Sequence, residues 1–364
     1  MGQAQSAMTF LIAAAGTGGH VFPGLAVGEA LVELGVGRGD VHFVGGSRLE
    51  AGIYPKEGFP FLEVELAGLR RSLTTANLRI PAIVARARRR IRSAMADEGI
   101  RVALAMGGYV TVPTVLAARS EGIPFFTAEQ NAEAGLANRI ASRWASRTFI
   151  SFPETKGLPG GEWVGNPVRR MFREFDRPSL RDQARARFGL AAGVPTLGVF
   201  GGSLGAGVVN ESVAAMLRHW EGRAMQVVHL TGQSQFDDMM GRSGKVSWVR
   251  RPFEDRMDLF YAASDLVIAR AGGAVAELTA TGTPAVLVPG RFGSSGHQSA
   301  NARYLERAGA AVVMDEGDLG ALGSQVDQVI FDPGRLEVMT AAAVAIAKPD
   351  AALTIARAMI EAAP

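Results

Sequence analysis

Short apolar runs alternate with longer helical patterns along the whole chain. Residues 9–14, 102–106, 196–200 and 266–268 are runs that predict strands, and stretches such as 24–34 predict helices between them. Continuous apolar strands separated by helices are typical of parallel sheets that helices cover on both faces. We therefore predict an α/β fold.

The two halves of the chain repeat one plan, a strand followed by a glycine-rich turn and a helix. The turns occupy residues 15–19 and 201–206 of the 364 residues. This duplication predicts two Rossmann-like, doubly wound domains that face each other across a cleft. We expect domains at 1–165 and 166–340, and an alanine-rich helical segment at 341–364 that packs back on the first domain.

Composition narrows the class of protein. Hydrophobic residues make up 48% and charged residues 20%, which excludes a disordered chain, and the net charge is only +3. The absence of cysteine excludes disulfide scaffolds, thiolate metal sites and cysteine nucleophiles. We find no apolar run of about 18 residues and no signal peptide, so we predict no membrane-spanning helix and no export.

Four glycine-rich turns each follow a predicted strand and precede a predicted helix, at 16–19, 107–109, 201–203 and 272–274. Backbone amides at such turns approach anions closely, and ligands of α/β sheets gather at the carboxyl ends of strands. A diphosphate could be held there without a metal, and we expect no metal site and no cofactor. The alternative for each turn is a tight connection that binds nothing.

Two of the five histidines are candidates for acid–base chemistry. His42 and His229 fall inside predicted strands, where a core role is expected, and His219 ends a helix. His20 and His297 flank turns, where an imidazole could exchange protons with a ligand.

Polar side chains also cluster after predicted strands. Residues 129–131 (Glu-Gln-Asn) follow one strand, and a helix cap accounts for one of the three. Glu277 could accept hydrogen bonds from ribose hydroxyls or could lie on a solvated helix face. Gln298 and Asn301 follow a later strand and add hydrogen-bonding groups.

An arginine run lies on a predicted amphipathic helix. Its apolar residues include Ile80 and Ile83, and its basic residues include Arg86, Arg88, Arg89 and Arg90. The pattern favours a helix on an anionic membrane surface, with a plain solvated helix as the alternative. Nucleic acid is not expected as a partner, because no aromatic residue is interleaved to stack on bases.

Six motifs in fixed order resemble one enzyme family. They are Gly-Thr-Gly-Gly-His-Val-Phe-Pro at 16–23, Gly-Gly-Tyr-Val-Thr-Val-Pro at 107–113, Glu-Gln-Asn at 129–131, Gly-Asn-Pro-Val-Arg at 165–169, Gly-Gly-Ser-Leu-Gly-Ala at 201–206, and His-Gln at 297–298. This set resembles the N-acetylglucosaminyltransferases that make lipid II for peptidoglycan, over residues 11–311. The resemblance implies a glycosyltransferase-B fold with an N-terminal acceptor domain and a C-terminal donor domain. The implied reaction moves N-acetylglucosamine from UDP-N-acetylglucosamine to the C4 hydroxyl of undecaprenyl-diphospho-N-acetylmuramoyl-pentapeptide (lipid I), with inversion.

The resemblance also implies roles for residues. His20 would be the catalytic base, with Glu129 and Asn131 beside it. Donor contacts would come from Thr17, Gly18, Gly19, Asn131, Arg169, Ser203, Glu254, Ala274, Glu277, Gln298 and Asn301. Acceptor contacts would come from Thr17, His20, Gly108, Tyr109 and Asn131. The protein would be peripheral, at the cytoplasmic face of the cell membrane, where other cell-wall synthesis proteins are candidate partners.

Three other functions remain open from the sequence. They are transfer of a UDP-sugar to another acceptor, 2-epimerisation of a UDP-sugar, and nucleotide-sugar binding without catalysis. The identity of the acceptor separates another transferase from lipid II synthesis. An epimerase needs no acceptor, because it converts the donor alone. Loss of turnover on replacing His20 separates an enzyme from a binding module.

Overall fold

The chain forms two compact units in the computed structural model. The structure describes residues 8–65, 80–202, 205–218, 220, 223–236, 246–290 and 296–363. The first unit comprises Met1–Arg170 and Pro349–Pro364, and the second comprises Met171–Lys348. The change of unit thus falls after Arg170, a few residues beyond the expected boundary.

The described residues of the first unit form a seven-stranded parallel sheet in the order β3-β2-β1-β4-β5-β6-β7. The strands are β1 (Thr9–Ala13), β2 (Val41–Gly45), β3 (Phe61–Glu63), β4 (Ile100–Ala105), β5 (Phe125–Glu129), β6 (Arg147–Ile150) and β7 (Glu162–Trp163). The direction in which strands are added reverses between β1 and β4. In open α/β sheets this switch point is where ligands bind, beside the carboxyl ends of the strands.

Helices cover both faces of this sheet. They are α1 (Gly18–Glu33), α2 (Leu49–Lys56), α3 (Ile80–Asp97), α4 (Thr111–Ser120), α5 (Leu136–Ala141) and the last helix of the chain, α14 (Ala351–Glu361). Successive residues of β1 enter different cores, because strand side chains alternate between faces. Phe10 packs in the core that α1 and α14 share, whereas Leu11 packs in the core beneath α3 and α4.

The second unit repeats the plan. Its described residues form a six-stranded parallel sheet in the order β10-β9-β8-β11-β12-β13, with the switch point between β8 and β11. The strands are β8 (Thr196–Phe200), β9 (Gln226–Leu230), β10 (Ser247–Arg251), β11 (Leu266–Ala269), β12 (Ala285–Leu287) and β13 (Ala311–Val313). The helices are α7 (Arg177–Phe188), α8 (Gly207–Arg218), α9 (Met257–Ala263), α10 (Ala274–Ala280), α11 (His297–Arg307), α12 (Leu322–Ile330) and α13 (Pro333–Ile346), while the short α6 (Arg170–Arg173) lies at the junction. The predicted α/β class with two Rossmann-like domains is confirmed.

The C-terminal segment differs from its expected form. Residues 341–364 are not one element, because α13 begins at Pro333 and stays in the second unit as far as Ile346. The helical conformation is then interrupted around Pro349, because proline lacks an amide hydrogen and disfavours helix at the preceding residue. Only α14 lies in the first unit, where Ile355 and Met359 are fully buried in the core with α1.

One stretch is long and apolar enough to cross a membrane by length and composition alone, Pro333–Glu361. The stretch meets a mean-hydropathy criterion but is not an uninterrupted apolar run, since it contains Lys348 and Asp350. The stretch consists of two helices, α13 and α14, which the non-helical residues around Pro349 separate. Core helices pass the same test, and the buried residues of α14 are those of a core helix.

Candidate active site

Three loops meet at the carboxyl edge of the first sheet. They follow β1, β4 and β5, which are neighbours in the strand order. Parallel strands end at the same edge, so the first glycine turn, the turn at 107–109 and residues 129–131 come together there. Sequence motifs that lie over 100 residues apart therefore form one candidate site, and His20 on the first turn of α1 lies at its centre.

The turn after β4 forms a slot for the His20 imidazole. A Cβ atom added to Gly107 would lie 3.0 Å from His20 Cε1, and one added to Gly108 would lie 3.6 Å from His20 Cδ2. Both glycines have positive φ angles, of 99° and 77°. Glycine adopts such angles without steric cost. Two glycines are therefore needed here for the backbone path and for the ring that lies against it.

The predicted acceptor residues around this slot differ in exposure. Thr17 and Tyr109 are exposed, with Tyr109 57% accessible, whereas His20 and Asn131 are half-buried. Gly18 and Gly19 are the first residues of α1, where amide groups lack partners within the helix. The edge thus combines amide donors, an imidazole and an exposed aromatic ring.

Glu129 organises the loop that follows β5. Its Oε1 accepts hydrogen bonds from the backbone and side-chain nitrogens of Asn131, at 3.0 and 3.1 Å. Its Oε2 accepts from Gly135 N at 3.0 Å and from Asn138 Nδ2 at 2.9 Å. Four donors occupy the lone pairs of this buried carboxylate. The contacts therefore give Glu129 a positioning role in the loop that lies beside His20.

Two residues of α2 support the first glycine turn, and sequence reasoning missed both. Glu50 accepts hydrogen bonds from Gly16 N at 3.2 Å and Gly46 N at 2.9 Å. The Tyr54 hydroxyl lies 3.3 Å from the carbonyl oxygen of Ala14. Burial raises the pKa of Tyr54 well above its ordinary value, and the negative Glu50 adds to the effect. The i, i+4 spacing of a carboxylate and a phenol after β2 was the available signal.

Arg169, a predicted donor residue, forms ion pairs within the first unit. Arg169 donates to Glu29 Oε1 from Nε and Nη2, at 3.0 and 2.6 Å, and its Nη2 lies 3.4 Å from Glu57 Oε2. All three residues belong to the first unit. This ion-pair cluster fixes the end of the first unit to α1 and to the residue that follows α2, and the donor contact of Arg169 stays a prediction.

In the second unit, the turn after β8 is closed so tightly that only glycine fits. A Cβ atom on Gly201 would lie 2.4 Å from Ala206 N, and one on Gly205 would lie 2.5 Å from the Thr231 carbonyl oxygen. This turn leads directly into α8, whose N-terminal amides can face an anion. Ser203, the predicted diphosphate contact, lies outside the described residues.

Glu277 is held in place at the start of α10. The Tyr261 hydroxyl donates to Glu277 Oε2 at 2.7 Å. Burial raises the pKa of Tyr261, and the negative Glu277 and their hydrogen bond raise it further. Ala274, the other predicted donor residue on this helix, is its first residue and is half-buried. An oriented carboxylate beside a turn at the switch point suits recognition of neighbouring hydroxyls.

The residues predicted on α11 have different roles. Gln298 Oε1 accepts from Gly290 N at 2.8 Å, so this amide turns its NH₂ group away from that contact. Asn301 is fully buried and donates to the Ala271 carbonyl at 3.0 Å, which ties α11 to the turn after β11. Asn301 therefore has a structural role in this unit, and its donor contact stays a prediction.

Arg270 joins two turns of the second unit and was missed from the sequence. It follows β11, donates to the Val288 carbonyl at 3.1 Å and pairs with Glu316 at 2.7 Å. A cation at the carboxyl end of a central strand was the signal that could have found it.

Glu254, a predicted donor residue, forms a buried ion-pair cluster. It accepts from Arg187 at 2.6 and 3.0 Å, from Arg251 at 2.9 Å and from the Arg256 amide at 2.9 Å. The carboxylate is 3% exposed and its oxygens are occupied. The residue therefore stabilises the second unit, and a substrate contact by this carboxylate would break those bonds.

We expect Glu254→Gln to lower the free energy of unfolding by about 1–3 kcal/mol, because an amide cannot satisfy two guanidinium groups. Urea denaturation measures this change, and a UDP titration is expected to give an unchanged dissociation constant. Glu337→Gln is the matched control, since Glu337 is exposed. Weaker UDP binding by a stable Glu254→Gln protein would show that Glu254 contacts the donor.

The difference in unfolding free energy between the wild-type and Glu254→Gln proteins is expected to depend on pH. Burial alone would raise the pKa of Glu254, but the hydrogen bonds from Arg187 and from the Arg256 amide outweigh burial and lower it. A lowered pKa stabilises the fold fully above the ordinary glutamate value, about 4.3. The stabilisation is lost as the pH falls through the lowered pKa, so the difference should shrink on acidification.

The remaining histidines belong to other elements than the three loops of this site. His229 is buried in β9, where Asn210 lies 2.9 Å from its Nε2, and burial together with Arg250 lowers its pKa to about 3. His42 is half-buried in β2, and His297 is the first residue of α11. His219 lies outside the described residues. Among the described residues no group of three or more His, Asp or Glu side chains could hold a metal ion.

The arginine helix α3 packs inward along much of its length. Ala87, Ile91 and Met95 are buried in the core with α4. This part of its apolar face is therefore covered by the protein itself, and the membrane role of α3 stays a prediction. Ile80 and Ile83, at the start of the helix, are half-buried.

The basic residues of α3 divide into two groups. Arg86 pairs with Glu65 at 2.7 Å, and Arg88 is half-buried. Arg89 and Arg90 are exposed and make no ion pair with a described residue. Arg92 is exposed as well but pairs with Glu121, so among the described residues the exposed cations of this helix without an ion-pair partner are Arg89 and Arg90.

Comparison with known protein families defines the class of this chain. The glycosyltransferase family 28 N-terminal domain matches residues 10–150, and the family 28 C-terminal domain matches residues 196–355. The chain belongs to glycosyltransferase family 28. It is an enzyme that transfers a sugar.

Individual relatives are more specific. A protein of Mycolicibacterium paratuberculosis is 38% identical over 97% of this chain and 88% of its own length. A protein of Clavibacter sepedonicus is 38% identical over 95% of this chain and 94% of its own length. Both are named UDP-N-acetylglucosamine–N-acetylmuramyl-(pentapeptide) pyrophosphoryl-undecaprenol N-acetylglucosamine transferase.

Solved structures agree with the fold. The crystal structure of Acinetobacter baumannii MurG matches with a TM-score of 0.76 and 28% identity, over 97% of this chain and 99% of that one. A UDP-GlcNAc 2-epimerase from Neisseria meningitidis matches with a TM-score of 0.68 at 13% identity, over 97% of this chain and 100% of that one. The second match reflects a shared fold alone.

Proposed function

We propose that this enzyme transfers N-acetylglucosamine from UDP-N-acetylglucosamine to the C4 hydroxyl of undecaprenyl-diphospho-N-acetylmuramoyl-pentapeptide. The product is the disaccharide lipid of peptidoglycan synthesis, lipid II. The observation that carries this proposal is 38% identity over 97% of the chain to a transferase named for that reaction. The imidazole of His20, which lies against Gly107 and Gly108, supplies the base that such a transfer needs.

The acceptor reacts at His20. The imidazole Nε2 takes the proton of the C4 hydroxyl while the oxygen attacks the anomeric carbon of the donor sugar. The bond between that carbon and the UDP oxygen breaks, and UDP leaves with the electron pair. One displacement inverts the anomeric centre, and general-base assistance contributes roughly 10²–10⁴ in rate.

The donor binds at the switch point of the second unit. Amides of the turn after β8 and of the α8 N-terminus face the diphosphate and stabilise the charge on the leaving UDP. Glu277, oriented by Tyr261, accepts hydrogen bonds from the ribose hydroxyls. The Gln298 NH₂ group donates to the sugar, because its carbonyl oxygen is engaged by Gly290. On this proposal neither a metal nor a further cofactor takes part.

The proposal is tested by incubating the purified protein with UDP-N-acetylglucosamine and a lipid I analogue, with and without a chelator. We expect UDP and the disaccharide lipid in equal amounts, unaffected by the chelator. Donor consumed without acceptor would point to an epimerase, and a folded protein that binds UDP but forms no product would reject the transferase.

We also propose that the protein is peripheral at the cytoplasmic face of the cell membrane, where its lipid acceptor lies and where other cell-wall synthesis proteins are candidate partners. The exposed cations Arg89 and Arg90 support this proposal. A basic residue near an anionic surface contributes about 1 kcal/mol of attraction.

We expect Arg89→Glu combined with Arg90→Glu to weaken binding to vesicles with anionic lipid by about tenfold or more, because two attractive charges become repulsive. Vesicle co-sedimentation at low salt measures the change. The matched control is Arg307→Glu with Arg357→Glu, which makes the same charge change at exposed positions on α11 and α14. Equal losses in both double variants would show a dependence on net charge alone and contradict the α3 surface.

A further inference from the structure

The proton on the His20 ring decides whether this residue can act as a base. A neutral imidazole carries one hydrogen, on either Nδ1 or Nε2, and only the bare nitrogen can accept a proton. The hydrogen bond at one nitrogen sets the form of the other. In this structure His20 Nδ1 lies 2.9 Å from Gln130 Oε1.

The orientation of the Gln130 amide follows from its second contact. Gln130 Nε2 donates to the Ala128 carbonyl oxygen at 2.9 Å. A carbonyl oxygen only accepts, so turning the amide over would place two acceptors face to face at that distance. The side chain is also 4% exposed, so water cannot readily replace either contact. Gln130 therefore presents its oxygen, and not its NH₂ group, to His20.

An oxygen at this position requires a donor on the ring. His20 Nδ1 must carry the hydrogen, and Nε2 keeps its lone pair. The structure shows no hydrogen bond to Nε2 from any described residue. The slot formed by Gly107 and Gly108 holds the ring, and Glu129 fixes the loop that carries Gln130.

We propose that Gln130 is a positioning residue that holds the neutral His20 ring in the form protonated at Nδ1. The ring then presents Nε2 to the acceptor hydroxyl as the base. This inference rests on the proposed function for its catalytic meaning, but the form of the ring can be measured without turnover. Gln130 itself touches neither the donor nor the reacting atoms in this role.

The test is nitrogen NMR of the whole protein with ¹⁵N-labelled histidine, at a pH above the titration range of the rings. The His20 signals are assigned from their loss in a His20→Gln variant. In the wild-type protein we expect a protonated Nδ1 and a bare Nε2. A wild-type ring protonated at Nε2 overturns the inference without any Gln130 variant.

Two substitutions separate hydrogen bonding from packing. Gln130→Met keeps the length of the side chain but removes the acceptor, and it is expected to give a mixture of ring forms and a fall in kcat of about tenfold to 100-fold. The KM for UDP-N-acetylglucosamine is expected to stay the same. Gln130→Glu keeps an acceptor, so we expect it to retain the Nδ1 hydrogen and recover much of kcat. Its carboxylate favours the charged ring, which should move the acidic limb of the pH–rate profile to higher pH.

The control is Gln226→Met, which removes a buried glutamine of the second unit that bonds to Ala191. We expect lower stability in this variant and unchanged His20 signals. If Gln130→Met leaves the ring form unchanged while kcat falls, Gln130 is structural and the inference fails. If the ring form changes but the wild-type protein makes no lipid product, the inference about the ring holds and the proposed function fails.

Discussion

Replacing His20 by alanine is expected to lower kcat by roughly 10²–10⁴, because the variant lacks the base that takes the acceptor proton. UDP affinity is expected to stay within about twofold of the wild-type value, since the proposed donor contacts lie on the second unit. Steady-state kinetics with a lipid I analogue measure the first quantity, and calorimetric titration with UDP measures the second.

The matched control for this prediction is His42→Ala. His42 lies half-buried in β2, its Nε2 is 4.0 Å from Glu98 Oε2, and none of the proposed steps uses it. We expect it to change kcat by less than about twofold. Equal kcat in the wild-type and His20→Ala proteins would remove His20 from the mechanism and require another base.

The second large effect is expected for Gly201→Ala at the donor turn. The added Cβ atom would lie 2.4 Å from Ala206 N and 2.5 Å from Ala206 Cβ, so the backbone of the turn must move. Overpacking of this kind costs about 1–3 kcal/mol, and displaced amides no longer face the diphosphate. We expect UDP affinity to fall by about tenfold or more, measured by calorimetric titration.

Gly320→Ala controls for the general effect of a glycine-to-alanine change in the second unit. Nothing lies within 4 Å of a Cβ atom at this exposed position, and its φ angle is not positive. We expect unchanged UDP binding and stability. A Gly201→Ala protein that folds and binds UDP as tightly as this control would show that the turn after β8 does not hold the donor.

The parts of the fold that the sequence predicted are those with local signals. β1 and β8 are uninterrupted apolar runs, and glycine turns and helices follow them directly. The exceptions need tertiary information. The apolar positions of α3 predict a helix that lies on a membrane surface. In the structure Ala87 and Ile91 pack in the core, because α4 covers them. Similarly, α13 stays in the second unit although the alanine-rich composition continues through α14.

Candidate site residues divide in the same way. His20 could be found from the sequence, because a glycine turn between a strand and a helix places its imidazole at the sheet edge where ligands bind. The role of Glu254 could not be assigned from local spacing, because its partner Arg187 lies 67 residues away on α7. Glu50 was missed because its partners, the amides of Gly16 and Gly46, are backbone groups, and its i, i+4 spacing from Tyr54 was the one side-chain signal.

The most direct measurement is the configuration of the newly formed glycosidic bond in the lipid product. A single displacement at the α-linked donor, assisted by one imidazole, requires a β-linked disaccharide, and the proton coupling at the new anomeric centre reports it. An α-linked product would require two displacements or a different attacking group, and it would contradict a mechanism in which His20 is the base.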